Sequence, residues 1–274
     1  MKVWVNGELR DEHDARVAIF DHGLTVGDGV FEAIKVIDGV PFALSRHLQR
    51  LRHSALGLGL GEPGVDAIRP GVAEVIEAAG RPARARIRIT VTGGHSPLSS
   101  ERGGGPLTAV VALEDLGPTA AVGDVVIVPW QRNEHGALTG LKTISYAENV
   151  RALAYARERG GIEAIFGNTA GNLCEGTGTN VFLVSGGELV TPPLSAGCLA
   201  GVTRALVIEW CGAQERDVPL GALAEADEAF LTSTMRDVQA VRGVDGKQLP
   251  VAPGPVTRKV AEVFAQRAAE NADP

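Results

Sequence analysis

The chain has 274 residues, of which 45% are hydrophobic and 22% charged, so it has the composition of one large or two modest globular domains and not that of a disordered protein. A formal net charge of −7 without any basic stripe argues against nucleic acid as the main partner. No apolar run reaches the length of a membrane span, no signal-peptide core follows the start, and the three cysteines lack a metal-ligand spacing, so we expect a reduced, cytoplasmic protein.

The first half of the chain is predicted to mix strands with two helices. Alternating residues and glycine turns indicate strands in "KVWVNGELR", "ARVAIFDHGLTVGDGVFEAIKVIDGVPFAL", "ARARIRITVTGG" and "LTAVVALEDLG". A helix opens at Ser45 in "SRHLQRLRHSALGLG", and a second lies in "VDAIRPGVAEVIEAAG", where Pro70 is expected to interrupt the first turn. Gly117 and Pro118 then mark a boundary, which predicts an N-terminal domain over residues 1–116 and a linker over 117–122.

The second half has the same mixed character. "DVVIVPW" predicts a strand, and "SYAENVRALAYARERG" a helix with Val150, Leu153 and Arg157 at helical spacing. Strands and turns follow in "EAIFGNTAGNLCEGTGTNVFLVSGGELVTPP", then a helix in "GVTRALVIEWCG", a hairpin in "EAFLTSTMRDVQAVRGVDGKQLP" and a last helix in "PGPVTRKVAEVFAQRAAE", with "NADP" as a frayed end. The order is irregular and unlike a βαβα repeat, which predicts two α+β domains, the larger one over residues 123–274.

Lys142 is the first candidate for chemistry. Only five of the 26 basic residues are lysines, and this one stands in "GLKTISYAENV", between a predicted strand and a predicted helix. A partly desolvated lysine can act as a nucleophile or move protons at neutral pH. A solvated lysine at a strand end is the alternative, and position alone favours it.

Several other segments carry residues suited to a phosphate or to a ring nitrogen. Glu175 in "CEGTGTN" lies between an apolar strand and a glycine-rich turn, where a carboxylate could bind a protonated ring nitrogen or could simply be solvated. Free N–H groups at the helix start in "LAGVTRAL" suit a phosphate, although Thr203 could be an ordinary cap. Ser233 and Thr234 offer hydroxyls at a strand end, and Arg46 or Arg50 could pair with a phosphate. No GxxxxGK[ST] loop is present, and the histidines lack a metal-ligand spacing.

Taken together, "GDGVFE", "RHLQRL", "GLKTISY", "LCEGTGTNVF", "LAGVTRAL" and "FLTSTMRDV" resemble the class IV aminotransferases, in order and spacing, over most of the chain. These are the fold-type IV enzymes that use pyridoxal 5′-phosphate. They include branched-chain and D-amino-acid aminotransferases and 4-amino-4-deoxychorismate lyase. The resemblance implies a two-domain fold-type IV enzyme with this cofactor, assembled as a homodimer.

The resemblance also implies roles for individual residues. Lys142 resembles the lysine that forms the Schiff base with the cofactor, and Glu175 the carboxylate that pairs with the pyridinium nitrogen. Leu199 resembles the apolar residue against the cofactor ring, and Phe31 the aromatic residue of the substrate pocket. Cofactor-phosphate contacts are implied for Arg50, Val202, Thr203, Ser233 and Thr234.

The substrate is less well indicated. Some branched-chain enzymes have a tyrosine five residues after the lysine, whereas here Ala147 stands there and Tyr146 precedes it, so we expect Tyr146 at most to line the pocket. The D-amino-acid enzymes have an arginine and a histidine after a Ser-Pro pair, whereas here "HSPLSS" has Leu98 and Ser100, which counts against that activity. Arg88 or Arg236 could bind the substrate carboxylate instead.

Three functions are compatible with these residues. The first is transamination between an amino acid and a 2-oxo acid through a Schiff base on Lys142. The second is aminodeoxychorismate lyase activity, which releases pyruvate and leaves 4-aminobenzoate. The third, a non-catalytic binding protein on the same fold, is disfavoured because Lys142 and Glu175 are both present. We expect a small-molecule partner in each case, with neither a metal, nor nucleic acid, nor a membrane.

Overall fold

The computed structural model describes all 274 residues, and the chain divides into two compact units. Unit 1 comprises Met1–Pro118, Leu141–Ser145 and Ala272–Pro274, and unit 2 comprises Thr119–Gly140 and Tyr146–Asn271. The short segment that carries Lys142 therefore belongs by its contacts to unit 1, whereas the sequence placed it in the second domain. None of the helices is both long and apolar enough to cross a membrane.

Unit 1 is built on one antiparallel sheet of six strands in the order β2-β1-β6-β5-β3-β4. Its strands are β1 (Lys2–Val5), β2 (Glu8–Asp11), β3 (Gly29–Ile37), β4 (Val40–Pro41), β5 (Arg84–Thr92) and β6 (Thr108–Asp115). Its helices are α1 (His22–Val26), α2 (Leu44–Gly57) and α3 (Val65–Ala78).

The core of unit 1 lies where α2 and α3 cover one face of this sheet. Alternate residues of β3 and β5 point into it, together with Leu48 and Leu51 of α2 and Val72 of α3. The helix α3 continues through Pro70, so the predicted interruption is wrong. Only the hydrogen bond from residue 70 is lost, and the buried apolar residues on both sides of it keep the helix on the sheet.

Two distant segments complete unit 1. The Lys142 segment pairs with β3 through a bridge between Val30 and Thr143. The final tripeptide docks on the start of α2, so the prediction of a frayed end is wrong. Asp273 accepts hydrogen bonds from the Ser45 backbone N–H at 2.8 Å and from the Ser45 hydroxyl at 2.6 Å. Asp273 thus supplies the cap that the N-cap residue of α2 lacks.

Unit 2 contains a nine-stranded mixed sheet in the order β12-β11-β10-β13-β14-β7-β8-β9, with β15 paired to β14. Its strands are β7 (Val122–Arg132), β8 (Glu163–Asn168), β9 (Leu173–Gly176), β10 (Asn180–Ser185), β11 (Glu188–Thr191), β12 (Gln214–Glu215), β13 (Glu228–Ser233), β14 (Asp237–Val244) and β15 (Lys247–Gln248). Its helices are α4 (Ala147–Arg157), α5 (Val202–Cys211) and α6 (Pro255–Glu270), with short 3₁₀ turns at Leu194–Ala196 and Leu220–Glu225. The predicted α+β class is confirmed.

The helix α4 differs from its prediction in the face that it buries. Asn149, Ala152 and Ala156 are buried, whereas Val150 is 66% exposed. Small residues rather than large apolar ones therefore form the packed face, which a search for apolar side chains at helical spacing misses.

Candidate active site

Lys142 is held in unit 1 by its backbone on both sides. The Phe31 N–H donates to the Lys142 carbonyl at 3.0 Å, and the Lys142 N–H donates to the Ser54 hydroxyl of α2 at 3.0 Å. The side chain is half-buried, and its Nζ lies 4.3 Å from the centroid of the Phe31 ring. The Lys142 backbone is thus bonded to β3 and α2, and its amine lies over an aromatic face.

Phe31 also contacts a second cation, Arg88. Phe31 is buried in β3, and the Arg88 guanidinium carbon on β5 lies 3.9 Å from the ring centroid. Arg88 and Lys142 therefore contact the same aromatic ring. Of the two arginines considered for the substrate carboxylate, Arg88 is the one that contacts the same ring as the lysine.

Arg50 lies in a buried polar cluster that the sequence did not indicate. Its Nε and Nη2 donate to the two carboxylate oxygens of Glu32, each at 2.7 Å, and His47 Nδ1 lies 2.7 Å from Glu32 Oε2. Glu32 and His47 are fully buried, and 11% of the Arg50 side chain is exposed. Burial alone would raise the pKa of Glu32, but Arg50 and His47 outweigh it and lower that pKa to about 2.

Burial has the opposite effect on His47. It lowers the pKa of the imidazole, so His47 is neutral near pH 7 and donates its Nδ1–H to Glu32. The cluster therefore consists of one carboxylate, one guanidinium and one neutral imidazole. The segments "GVFEA" and "RHLQR" contain these residues, but they predict the cluster only if the face of β3 that packs against α2 is known.

Glu175 is held in unit 2 at the end of β9. Its Oε2 accepts the backbone N–H of Leu199 at 2.9 Å, and its Oε1 lies 3.3 Å from Arg132 Nε. Only 14% of the Glu175 side chain is exposed. Two candidate residues, Glu175 and Leu199, are therefore in direct contact.

Arg132 is a neighbour of Glu175 that sequence reasoning missed. It sits at the end of β7, donates to Asn149 Oδ1 at 2.9 Å and to Glu148, and its guanidinium lies 4.0 Å from the Phe166 ring centroid. These contacts fix the guanidinium beside the Glu175 carboxylate. The pairing of β7 with β8 has a shifted register, and no local sequence pattern predicts such a shift.

The start of α5 is shaped for a close approach by an anion. Gly201 is its N-cap, no side chain caps the helix, and Val202 and Thr203 form its buried first turn. A Cβ added to Gly201 would lie 2.0 Å from Asn180 Oδ1, while Asn180 Nδ2 donates to the Leu199 carbonyl at 2.9 Å. The turn therefore requires glycine, and its helix end can offer backbone N–H groups and a positive dipole.

Ser233, Thr234 and Arg236 lie in the tight turn between β13 and β14. The Arg236 N–H donates to the Ser233 carbonyl at 3.2 Å. The Arg236 side chain pairs with Glu163, which is 1% exposed, at 3.1 Å and donates to Gln239 at 3.0 Å. Glu163 also accepts the Thr177 hydroxyl. Arg236 therefore braces the turn and the "CEGTGTN" loop.

Tyr146 follows Lys142 closely in sequence but belongs to unit 2. It is half-buried at the start of α4, where its carbonyl accepts the Val150 N–H at 3.0 Å. The pocket role predicted for Tyr146 stays a prediction, as do the cofactor roles of the other residues.

The residues of each unit fit a cofactor with an aldehyde, a ring nitrogen and a phosphate. Unit 1 offers a half-buried amine and an oriented guanidinium, which suit an aldehyde and a phosphate. Unit 2 offers a fixed carboxylate, which suits a protonated ring nitrogen, and a glycine-dependent helix start, which suits a phosphate. Each unit thus offers groups that suit part of pyridoxal 5′-phosphate.

Comparison with known proteins agrees with this fit. The sequence model of the Amino-transferase class IV family matches residues 29–244. A Methanocaldococcus jannaschii protein provisionally named branched-chain-amino-acid aminotransferase is 34% identical over 96% of this chain and 95% of its own. The D-alanine aminotransferase of Bacillus licheniformis is 30% identical over 95% and 94%. The crystal structure of the Thermoproteus uzoniensis branched-chain aminotransferase with norvaline has a TM-score of 0.91 at 32% identity and covers 97% and 94%. The chain belongs to the class IV aminotransferase family, whose members are pyridoxal-phosphate-dependent enzymes of fold type IV.

Proposed function

We propose that the protein transfers an amino group between an amino acid and a 2-oxo acid, with Lys142 as the amine that binds the cofactor aldehyde. The observation that carries this proposal is the position of the half-buried Lys142 side chain, whose amine lies over the Phe31 ring. When bound, pyridoxal 5′-phosphate supplies the aldehyde that takes up an amino group and a ring that withdraws electrons. The Lys142 amine would also move the proton at the substrate Cα.

The remaining contacts to the cofactor are proposed residue by residue. Glu175 would hold the proton on the ring nitrogen, since a fixed carboxylate favours the charged form of that nitrogen. Leu199 would pack against the ring. Arg50 would bind the phosphate with its guanidinium, as would the α5 helix start and the hydroxyls near β13. The residues proposed there are Val202, Thr203, Ser233 and Thr234.

Arg88 is our candidate for the substrate carboxylate. It contacts the same Phe31 ring as Lys142, and a guanidinium is suited to pair with a carboxylate. Arg236 is less suited, because Glu163 and Gln239 already engage its guanidinium. Phe31 would then pack against the substrate.

A homodimer is also proposed. Five large hydrophobic residues between positions 17 and 26 of unit 1 are exposed in the single chain: Val17, Ile19, Phe20, Leu24 and Val26. Phe20 and the exposed Leu98 also line the same cavity. An exposed apolar cluster of this density favours burial against a second copy of the chain. Light scattering that gives a monomer mass at micromolar concentration would contradict this proposal.

The function is tested by following the cofactor and the products together. The purified protein is expected to show the cofactor's absorbance and to convert it to the amine form with L-branched-chain donors, D-alanine or other amino acids. Return to the aldehyde form on adding a 2-oxo acid completes the transamination. Lys142→Ala should abolish turnover, whereas Lys259→Ala, a change on α6, should not. No spectral change across a broad donor panel contradicts transamination.

The lyase reaction is the alternative arm of the same experiment. Aminodeoxychorismate is added without an amino acceptor, and pyruvate and 4-aminobenzoate are measured. Their stoichiometric release without conversion of the cofactor to its amine form would favour the lyase. Transamination is preferred because the named relatives are aminotransferases.

A further inference from the structure

The cluster of Glu32, His47 and Arg50 has a composition that packing alone does not require. Glu32 lies on the face of β3 that otherwise contributes Val30, Ile34 and Val36 to the apolar core. A buried charge pair in such a place is often no more stable than apolar side chains of the same volume. The cluster is therefore better explained by what it does to Arg50 than by its contribution to stability.

The geometry shows what that effect is. A guanidinium carries five N–H donors in one rigid plane, and Glu32 takes one from Nε and one from Nη2. Two parallel bonds of 2.7 Å fix both the position and the plane of the group. The directions of the remaining Nη donors are thereby set from inside the core.

His47 acts on the same carboxylate. Its Nδ1–H donates to Oε2, the oxygen that also accepts from Arg50 Nη2. Because His47 stands three residues before Arg50 on α2, both side chains reach Glu32 from one helix face. Because His47 and Arg50 both bond to the Glu32 carboxylate, its rotation is restricted, and the orientation of the Arg50 guanidinium is restricted with it.

We infer that Glu32 and His47 are positioning residues that orient Arg50 for the cofactor phosphate, an inference that rests on the phosphate role proposed above for Arg50. Arg50 is charge-balanced by Glu32, so it recognises the phosphate through directed hydrogen bonds more than through net charge. Removal of Glu32 should therefore weaken phosphate recognition even though it leaves Arg50 more cationic.

The test compares two ligands that differ only in the phosphate. Apoprotein is titrated with pyridoxal 5′-phosphate and with pyridoxal, which has the same ring and aldehyde. The dissociation constant of pyridoxal divided by that of pyridoxal 5′-phosphate measures phosphate recognition and needs no turnover. Weaker phosphate recognition lowers this ratio. Glu32→Gln is expected to reduce this ratio about tenfold or more, with pyridoxal affinity changed less than about threefold. An unchanged ratio, or an equal loss for both ligands, overturns the inference.

The matched control is a second fork between a carboxylate and an arginine. Arg242 pairs with both oxygens of Asp124 in unit 2, with part of both side chains exposed. Asp124→Asn makes the same chemical change as Glu32→Gln and should leave the ratio as in the wild type. A fall in the ratio with Asp124→Asn as large as with Glu32→Gln also overturns the inference.

A pair of His47 variants covers the case in which Glu32→Gln does not fold. His47→Leu removes the donor to Glu32, whereas His47→Asn keeps an N–H donor near the position of Nδ1. The ratio should fall several-fold with His47→Leu and stay close to the wild-type value with His47→Asn. Equal behaviour of the two variants speaks against a positioning role.

Arg50→Ala separates this inference from the proposals that precede it. In an Arg50→Ala background, Glu32→Gln should cause no further fall in the ratio, because the residue it orients is gone. If Arg50→Ala itself leaves the ratio intact, the phosphate role of Arg50 and the inference fail together. If the ratio responds as expected but no donor is transaminated, only the proposed function fails.

Discussion

Acidification should remove the stabilisation that the Glu32 carboxylate gives to unit 1. The folded pKa of Glu32 is about 2, against an ordinary value of 4.5, because Arg50 and His47 outweigh its burial. A carboxylate with a depressed folded pKa contributes stability above its unfolded pKa and loses it as the pH falls towards its folded pKa. The window therefore lies between about pH 4.5 and pH 2.

The magnitude follows from this shift. At about 1.4 kcal/mol per pKa unit, the full contribution is about 3 kcal/mol. Between pH 5 and pH 3 the unfolded state takes up most of its proton and the folded state almost none, so about 2 kcal/mol of it is lost. The side chain is fully buried, so solvent screening does not reduce the value.

The assay needs a signal from unit 1 alone. Trp4 is the only tryptophan of unit 1 and is buried in its core, whereas Trp130 and Trp210 belong to unit 2. Urea unfolding followed by Trp4 fluorescence in a Trp130→Phe, Trp210→Phe background should report the free energy of unfolding of unit 1. Comparison with Glu32→Gln in the same background cancels the other carboxylates, because both proteins carry them.

The difference in free energy of unfolding between wild type and Glu32→Gln is expected to decrease as the pH falls. Wild type should exceed Glu32→Gln in stability at pH 5, and its advantage should fall by about 2 kcal/mol by pH 3. A difference that stays constant within about 0.5 kcal/mol across this range would refute the reasoning, since Glu32 would then have an ordinary pKa or no influence on the stability of unit 1.

Three further predictions concern other parts of the chain. Both ring nitrogens of His22 face acceptors, the Ser99 carbonyl and the Asp28 carboxylate, and these raise its pKa. The contacts of protonated His22 should therefore stabilise the loop after Ser96 fully below pH 6.5, and this stabilisation should be lost as the pH rises further. Tryptic cleavage after Arg102 should accordingly accelerate from pH 6.5 to 8.5 in wild type relative to His22→Gln. Gly201→Ala forces a Cβ to 2.0 Å from Asn180 and should cost about 1–3 kcal/mol in thermal unfolding, whereas Gly178→Ala, which meets nothing within 4 Å, should cost less than about 1 kcal/mol; equal losses would contradict the packing at Gly201. Asp273→Ala should destabilise the start of α2 by about 1 kcal/mol in urea unfolding, and Ser45→Ala should add little in that background; fully additive losses would contradict the cap.

Sequence patterns were informative where a residue's own segment decides its environment. The α+β class, the helices α5 and α6 and the hairpin of β13 and β14 follow from local periodicity and turn residues. The candidate residues Lys142, Glu175 and Thr203 stand in segments whose types and order point to one chemistry. Of these, Glu175 accepts the backbone N–H of Leu199, another candidate residue.

The partners of those residues depend on register and could not be read locally. Glu32 orients Arg50 because β3 turns that side chain towards α2, and Arg132 on β7 meets Glu175 on β9, two strands that both pair with β8. A one-residue change of register would reverse such contacts. Docking of the final tripeptide escaped prediction for a related reason, since its partner lies 228 positions earlier in the chain.

The two detached segments of unit 1 have a consequence for how the protein is made. The chain leaves unit 1 after Pro118, returns for Leu141–Ser145, and returns again for Ala272–Pro274. During synthesis, residues 1–118 can form their sheet early, but the strand edge at Val30 must wait for Thr143, and the cap on α2 must wait for Asp273. The Lys142 segment therefore pairs with a sheet that has already formed, and the start of α2, the helix that carries Arg50, receives its cap last. A ribosome-bound chain stalled before residue 272 would expose this order of assembly.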